Sequence, residues 1–406
     1  MTKKVPLYVL IAALALAILV TFNTTYLAIN AKHNVAINRL LADYSEFDLL
    51  HKVDQIVKDN YYGEIDSDKL VEYAIRGYLQ ALSDPYSLYL AADEFKFYVD
   101  KLDGKSVGTG MYYIEDSNVT NGIEIYYVVP GSPADNAGIK AGDLITAIEK
   151  DTVAALGYAA AVQKIQGESG TSLTITIKRD GQEREFTCVR QEIEKVSVYS
   201  HIFADDSEVG VIRITEFNDK TPEQFKKAVS SLRESGCKKF VFDIRNNIGG
   251  ELGSILAVLD YLLPEGPTAH VFYETGVEEH YDSDANCLDA PMAVLVNEKT
   301  ASAAELFAAA LRDYDEKGLC EATVVGVKTY GKGVLQSFFR LSNGAAFKIT
   351  VGYYNPPYGD NYDGVGVVPA AEHTVELSEE ASQINFNKLT DKNDNQLIAA
   401  VAVLQG

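Results

Sequence analysis

The chain has 406 residues, 47% of them hydrophobic and 23% charged, which is enough apolar material for two or three domains and excludes wholesale disorder or a collagen-like fibre. Its 36 Lys and Arg against 58 Asp and Glu leave a net charge of −22, which repels nucleic acid phosphates and anionic lipid and argues against nucleic acid as a partner. Four cysteines, Cys188, Cys237, Cys287 and Cys320, lie far apart with no C-x-x-C spacing; this argues against a zinc ribbon or a thioredoxin-type site and leaves them to pair or stay free.

In chain order, Lys3 and Lys4 precede an uncharged run from Val5 to Phe22. As a helix it reaches about 27 Å, close to the thickness of a bilayer core. The lysines hold the start of the chain in the cytoplasm and put everything after the run outside. No clean small-x-small site follows the run, which favours an uncleaved anchor over a cleaved signal peptide, and residues 1–30 are expected to be that anchor. Residues 31–104 are predicted to form a small helical domain, with apolar residues at helical spacing (Phe47, Leu49, Leu50, Val53, Ile56, Val57) and a second run around Leu70 to Leu82, broken at Ser83-Asp84-Pro85. From 105 to 192 the pattern changes to short strands with turn signals and one amphipathic helix near Ala159 to Ile165. From 193 to 375, β runs such as KKFVFDI, MAVLVN and ATVVGV alternate with helical runs such as PEQFKKAVSSLRE and SAAELFAAALRDY. That alternation predicts an α/β domain with crossover helices, followed by a C-terminal segment over 376–406.

Two textual matches are set aside. Gly104 to Gly108 spells G-x-S-x-G, but a nucleophile elbow needs a strand before it and a helix after, and here the order is reversed. Gly326 to Lys332 spells G-x-x-x-x-G-K, but Gly333 stands where a phosphate loop needs Ser or Thr, and a strand follows instead of a helix.

Other segments carry chemistry. The strand FVFDIRNNIGG ends in Gly249-Gly250 before a helix; glycines there let backbone N–H groups face an anion, although an ordinary α/β turn reads the same way. In LVNEKTASAAELF, Ser302 opens a helix with Glu305 three positions on. This is the pattern of a capping box, yet a hydroxyl at that place also has the Ala303 N–H beside it and the positive end of the helix dipole behind it. A serine needs a base. None of the six histidines has a comparable glycine-framed setting, whereas Lys332 lies between Gly331 and Gly333. To act as a base its amine must lose about 3 pKa units, by burial away from carboxylates; a solvated turn lysine is the ordinary alternative. Gln336 could orient that amine without adding charge, but a straight strand would separate the two by about 13 Å, so contact requires a bend at Gly333.

Taken together, Asp84-Pro85-Tyr86-Ser87, Asp243-Ile244-Arg245-Asn246-Asn247-Ile248-Gly249-Gly250, Thr300-Ala301-Ser302-Ala303-Ala304-Glu305 and Thr329-Tyr330-Gly331-Lys332-Gly333-Val334-Leu335-Gln336 resemble the motifs of the C-terminal processing peptidases, the tail-specific proteases of peptidase family S41 (subfamily A). The likeness runs from about Glu46 to the C-terminus. It implies a multidomain α/β protein: a membrane helix, a helical N-terminal domain, a PDZ domain over 105–192, and a ClpP/crotonase-like protease core with a Ser/Lys dyad. It further implies Ser302 as nucleophile, Lys332 as general base, Gln336 as its orienting partner, and an oxyanion hole from the N–H of Ala303 with one from Gly249 or Gly250. Val107-Gly108-Thr109-Gly110-Met111 is similar to a PDZ carboxylate-binding loop. The sequence departs from the family at Ile248 (usually Pro), Ala304 (often Ser), Ala370 (often Asp) and Gln166, a substrate-site position where relatives often carry Arg; the segment 312–323 is longer than typical. The function implied is an extracytoplasmic, membrane-anchored serine endopeptidase that needs no metal or cofactor and cuts proteins near free, apolar C-termini. A second copy of the chain is a candidate partner. The competing reading is an inactive PDZ scaffold that only binds tails.

Overall fold

The computed structural model describes residues 47–114 and 121–405; the expected anchor at Val5 to Phe22 lies outside them. Among the described residues, no helix is long and apolar enough to cross a membrane.

The chain divides into two compact units between Ile75 and Arg76. The first contains a helix over 47–60 (α1) and the opening of α2 (Ser67–Gln80). The apolar spacing of α1 is as predicted, but Phe47, Leu50, Val53 and Ile56 are exposed rather than gathered into a core.

The second unit starts within α2. The strand β1 (Leu88–Leu90) follows and then α3 (Ala92–Leu102). These residues, expected in a separate helical domain, join the protease core, as described below. Next come β2 (Lys105–Gly108), β3 (Met111–Ile114), β4 (Ile123–Val128), α4 (Pro133–Asn136), β5 (Leu144–Ile148), β6 (Asp151–Thr152), α5 (Val153–Leu156), α6 (Tyr158–Ile165), β7 (Ser172–Arg179), β8 (Gln182–Val189) and β9 (Gln191–Glu194). A sheet in the order β3-β4-β5-β7-β8, with β6 beside β5, wraps a core of Ile123, Ile125, Ile145, Ile148, Leu173, Ile175 and Ile177 closed by Ala161 and Ile165 of α6. Alternate residues of β7 supply the core, as one-sided burial of an antiparallel sheet demands. The neck of this domain is the antiparallel pair β2–β9, with Lys105 opposite Glu194.

The remaining elements are β10 (Val198–Ile202), β11 (Val209–Ile214), α7 (Thr221–Glu234), β12 (Lys239–Asp243), α8 (Leu252–Leu262), β13 (Gly266–Tyr273), β14 (Glu278–Ser283), β15 (Met292–Val296), α9 (Ala303–Glu316), β16 (Ala322–Gly326), β17 (Val334–Arg340), β18 (Ala346–Asn355), α10 (Glu379–Ser382) and α11 (Asn395–Val403). The strands β11, β12, β15 and β16 pair in parallel, and β10 adds antiparallel at one edge. Their near-continuous apolar runs follow from cover on both faces. Phe240, Phe242, Val294 and Val296 face α7, α8 and α9, while Val241, Ala293, Leu295 and Val325 face Leu397, Ala400 and Val401 of α11. The C-terminal segment is thus part of the core. A second, antiparallel sheet runs β1-β18-β13-β14 with β17 also on β18. All four cysteines are free thiols.

Candidate active site

The site lies where the parallel sheet ends, at the loops after β12 and β15, with the second sheet as its other wall; crevices at the carboxyl ends of parallel strands are the usual place for ligands in α/β folds. The loop after β12 is held from below. Arg245, almost fully buried, donates to both oxygens of Asp243 (2.9 and 2.7 Å) and both of Asp394 (3.0 and 2.6 Å), so the charged part of the Asp-Ile-Arg motif is a clamp to the start of α11. The loop after β15 is tied to it: Asn297 Oδ1 accepts from the Asn246 N–H (2.9 Å), Thr300 Oγ1 donates to Ile244 O (3.0 Å), and the Ala301 N–H donates to Asn247 O (2.9 Å).

These ties bring Gly249 against Ser302. A Cβ added to Gly249 would stand 2.8 Å from Ser302 Cβ and 2.9 Å from Ala303 N, and its φ of +97° is also one that only glycine adopts freely. The Gly249 N–H is taken by Asn247 Oδ1 (2.8 Å). Those of Gly250 and Ala303 have no protein acceptor among the described residues, so the pair free for an oxyanion is Gly250 and Ala303.

Ser302 is not a plain N-cap. Its φ of +59° is strained for a side-chain-bearing residue and differs from the extended conformation of ordinary caps. The Glu305 N–H goes to the Ser302 carbonyl (2.8 Å) rather than to the hydroxyl. Ser302 Oγ instead lies 3.2 Å from the Tyr354 hydroxyl, which burial pushes up to about 12 and so keeps protonated. Glu305 completes the other half of the box, accepting the Ser302 N–H at Oε2 (2.9 Å), and does more. The same oxygen accepts the Lys332 N–H (2.7 Å), and Oε1 accepts Thr329 Oγ1–H (2.5 Å) and the Gly331 N–H (2.6 Å). One buried carboxylate therefore fixes the backbones of both Ser302 and Lys332.

Ser302, Lys332 and Gln336 line one cleft of about 570 Å³. The Lys332 amine sits 4.6 Å from the centre of the Tyr86 ring. Burial, followed by the positive charge of Lys348, lowers it to about 8 against the opposing pull of Asp84, Glu305 and Asp363. Tyr86 is held there by its motif: Asp84 accepts the Tyr86 N–H (3.0 Å), Ser87 Oγ–H (2.5 Å) and Thr350 Oγ1–H (2.7 Å). The Gln336 amide does not reach Lys332; it donates to Val334 O (3.3 Å) and Thr350 Oγ1 (3.4 Å). The irregularity that sets its direction lies between Leu335 and Gln336 rather than at Gly333. Lys348, Thr350 and Tyr354, which the motifs did not single out, come from β18, whose register against β17 shifts between Thr350 and Gly352, so strand alternation alone does not group them.

In the small β domain, Val107, Gly108, Thr109, Gly110, Met111 and Gln166 line a single cleft of about 130 Å³. The loop carbonyls of Thr109 and Gly110 are engaged inward by the N–H groups of Ala134 and Val129 (both 2.9 Å). Gln166 is exposed at the end of α6. A positive charge is nevertheless present nearby: Arg190, 8% exposed, donates to Ile165 O (2.8 Å), Lys164 O (3.0 Å), Thr171 Oγ1 (2.9 Å) and Ser172 O (3.3 Å), all neutral acceptors.

Residues 208–373 match the Peptidase family S41, 124–179 a PDZ domain, and 19–94 the N-terminal domain of the activating protease CtpB. A CtpA-like serine protease of Staphylococcus aureus (strain COL) is 32% identical over 366 residues, covering 89% of this chain and 71% of that protein. Its counterpart in Staphylococcus saprophyticus is 30% identical over 356 residues, covering 86% and 70%. Among solved structures, an S41 protease from Bacteroides fragilis NCTC 9343 shares the fold, with a TM-score of 0.55 at 18% identity over 86% of this chain and 91% of that one. Likeness of this extent, across the core and the β domain before it, makes the chain a member of the C-terminal processing peptidases of family S41 and a serine-type peptidase.

Proposed function

We propose that the chain is a membrane-anchored endopeptidase that works outside the cytoplasm and cuts proteins near free, apolar C-termini by a Ser302/Lys332 dyad. The observation that carries the reading is the Glu305 carboxylate, which ties the Ser302 and Lys332 backbones at one cleft. With its pKa near 8, a usable fraction of Lys332 is neutral at physiological pH and takes the Ser302 Oγ proton as the oxygen attacks the scissile carbonyl. The N–H groups of Gly250 and Ala303 receive the oxyanion. Lys332 then gives its proton to the leaving amine, and a water, deprotonated by the same amine, hydrolyses the acyl-enzyme. Gln336 acts as a positioning residue, through Val334 and Thr350, on the strand that follows Lys332. The loop Val107 to Met111 receives the substrate carboxylate on its N–H side, with Gln166 at the rim and apolar selectivity from Val107 and Met111.

The test is to fractionate cells and assay the full-length chain on an unfolded protein, mapping the cuts by mass. It should sediment with membranes and be open to external protease. Ser302→Ala and Lys332→Ala should each reduce cleavage by about 100-fold or more with the fold intact, and Gln336→Ala should lower kcat with KM unchanged. More than about a tenth of wild-type activity in Lys332→Ala would remove the base assignment, and a soluble cytoplasmic enzyme would remove the anchor.

A further inference from the structure

On the outer face of the second sheet, His280 of β14, His270 of β13 and Asn355 of β18 stand side by side in register across three adjacent strands. The two imidazoles meet Nδ1 to Nδ1 at 2.7 Å. The other nitrogen of His270, Nε2, lies 3.2 Å from Pro357 O. A carbonyl only accepts, so Nε2 carries the proton and Nδ1 of His270 presents a lone pair, towards which His280 Nδ1–H points. On the far side of His280, Nε2 faces the Glu278 carboxylate at 3.9 Å. The two Nδ1 atoms share one hydrogen bond, each ring has an oxygen on its far side, at 3.2 Å behind His270 and 3.9 Å behind His280, and a small rotation of the rings turns both Nδ1 atoms towards a common ion, the far oxygens then serving as outer partners.

We propose that His270 and His280 form a labile site for a divalent transition metal such as Zn²⁺, outside the catalytic cleft. At tetrahedral zinc with zinc–nitrogen distances of about 2.0–2.1 Å, two ligating nitrogens stand about 3.3–3.4 Å apart, so the pair, now at 2.7 Å, opens by about 0.6–0.7 Å, within reach of side-chain rotation on an exposed strand pair. No net proton is released on binding: His280 moves its proton from Nδ1 to Nε2, towards Glu278. Among the described residues no group of three or more His, Cys, Asp or Glu converges on one point, so the remaining positions fall to water and to Asn355 Oδ1, a buried oxygen with no hydrogen-bond donor. Two imidazoles with neutral oxygens select zinc, copper or nickel over calcium or magnesium. The stacked rings of Phe272 and Tyr353, 5.0 Å apart in the next row of the same face, shield one flank. The net charge of −22 concentrates cations around the chain. A bound ion would cross-link β14 and β13 beside β18, whose opposite face carries Tyr354.

The experiment titrates Zn²⁺ into the full-length chain, purified without a polyhistidine tag and in a Cys287→Ser background, because the exposed Cys287 thiol competes for soft metals. Binding of one Zn²⁺ per chain is expected, weakened by about 30-fold or more in His280→Gln with the thermal unfolding of the metal-free protein unchanged. A second measurement needs no histidine variant: diethyl pyrocarbonate labelling mapped by mass should show His270 and His280 protected by Zn²⁺ and His201, which is exposed and paired with Asp391, unprotected. Absence of stoichiometric binding, equal affinity in His280→Gln, or labelling of the pair unaffected by Zn²⁺ would each overturn the proposal.

Discussion

The charge state of Lys332 is set by residues that belong to different elements. Its amine is lowered to about 8 first by burial and then by Lys348, which lines the same cleft with its own amine 5.2 Å from the centre of the Tyr98 ring. If Lys332 is the base, as proposed, it is protonated and idle below that pKa, so kcat/KM should rise about tenfold per pH unit on the acid side and level off above pH 8. Lys348→Met removes the like charge; the protonated form of Lys332 becomes easier to hold, and the rising limb should move to higher pH. The expected result is a several-fold loss of activity at pH 7 that recovers by pH 9.5, read from the pH profile of kcat/KM. A uniform loss at every pH would instead mean that Lys348 only shapes the cleft.

At the level of elements, the hinge of the site is the start of α9 against the loop before β17. Glu305 is fully buried and accepts four hydrogen bonds, three from backbone N–H groups. Glu305→Ala leaves those donors without partners, at about 1–3 kcal/mol for each that water does not reach, so a loss of several kcal/mol is expected, read as a lower denaturation midpoint, with activity abolished. Much of this region was legible in the sequence. The runs FVFDI and MAVLV read as buried strands because both faces of the parallel sheet are covered, and Ser302 and Lys332 stood out by their glycine and helix-start settings. Tyr354, Lys348 and Thr350 did not, because β18 meets the site only through strand pairing far along the chain, with a register shift opposite Gln336 that no local periodicity records. For the same reason the sequence put residues up to 104 in one helical domain: the periodicity of α2 runs unbroken through Ile75, and nothing local shows that Leu88 to Leu90 will pair with Lys348 to Ala346.

For the molecule as a whole, the proposed reading of substrate tails by the β domain makes its own predictions. The loop at Val107 to Met111 turns its Thr109 and Gly110 carbonyls inward, and its N–H side is the carboxylate site proposed above. Gln166 brings no charge, but Arg190 lies buried beneath the end of α6 with only neutral acceptors. A buried charge is screened little by salt, so carboxylate recognition should be strong and only weakly sensitive to ionic strength. Amidating the C-terminus of an apolar-tailed peptide should weaken binding by about 1.5–3 kcal/mol, and raising NaCl from 0.05 to about 0.5 M should change the affinity of the free acid by less than about threefold. Equal binding of the amide and the acid by calorimetry would show that the β domain does not read tails.

The shared carboxylate of Glu305 also bears on when the enzyme becomes dangerous. Ser302 and the loop of Lys332 are separated by a whole helix and a strand, and neither segment holds its working conformation by local structure alone: the serine is strained, and the lysine must be buried to lose its charge. On the proposed dyad, a chain still being threaded into place, or one coming apart, has a serine without a base and a lysine that is only a cation. Proteolytic power then arrives with the last docking of the core and is lost with its first loosening, so folding itself would be the safety catch of such an enzyme.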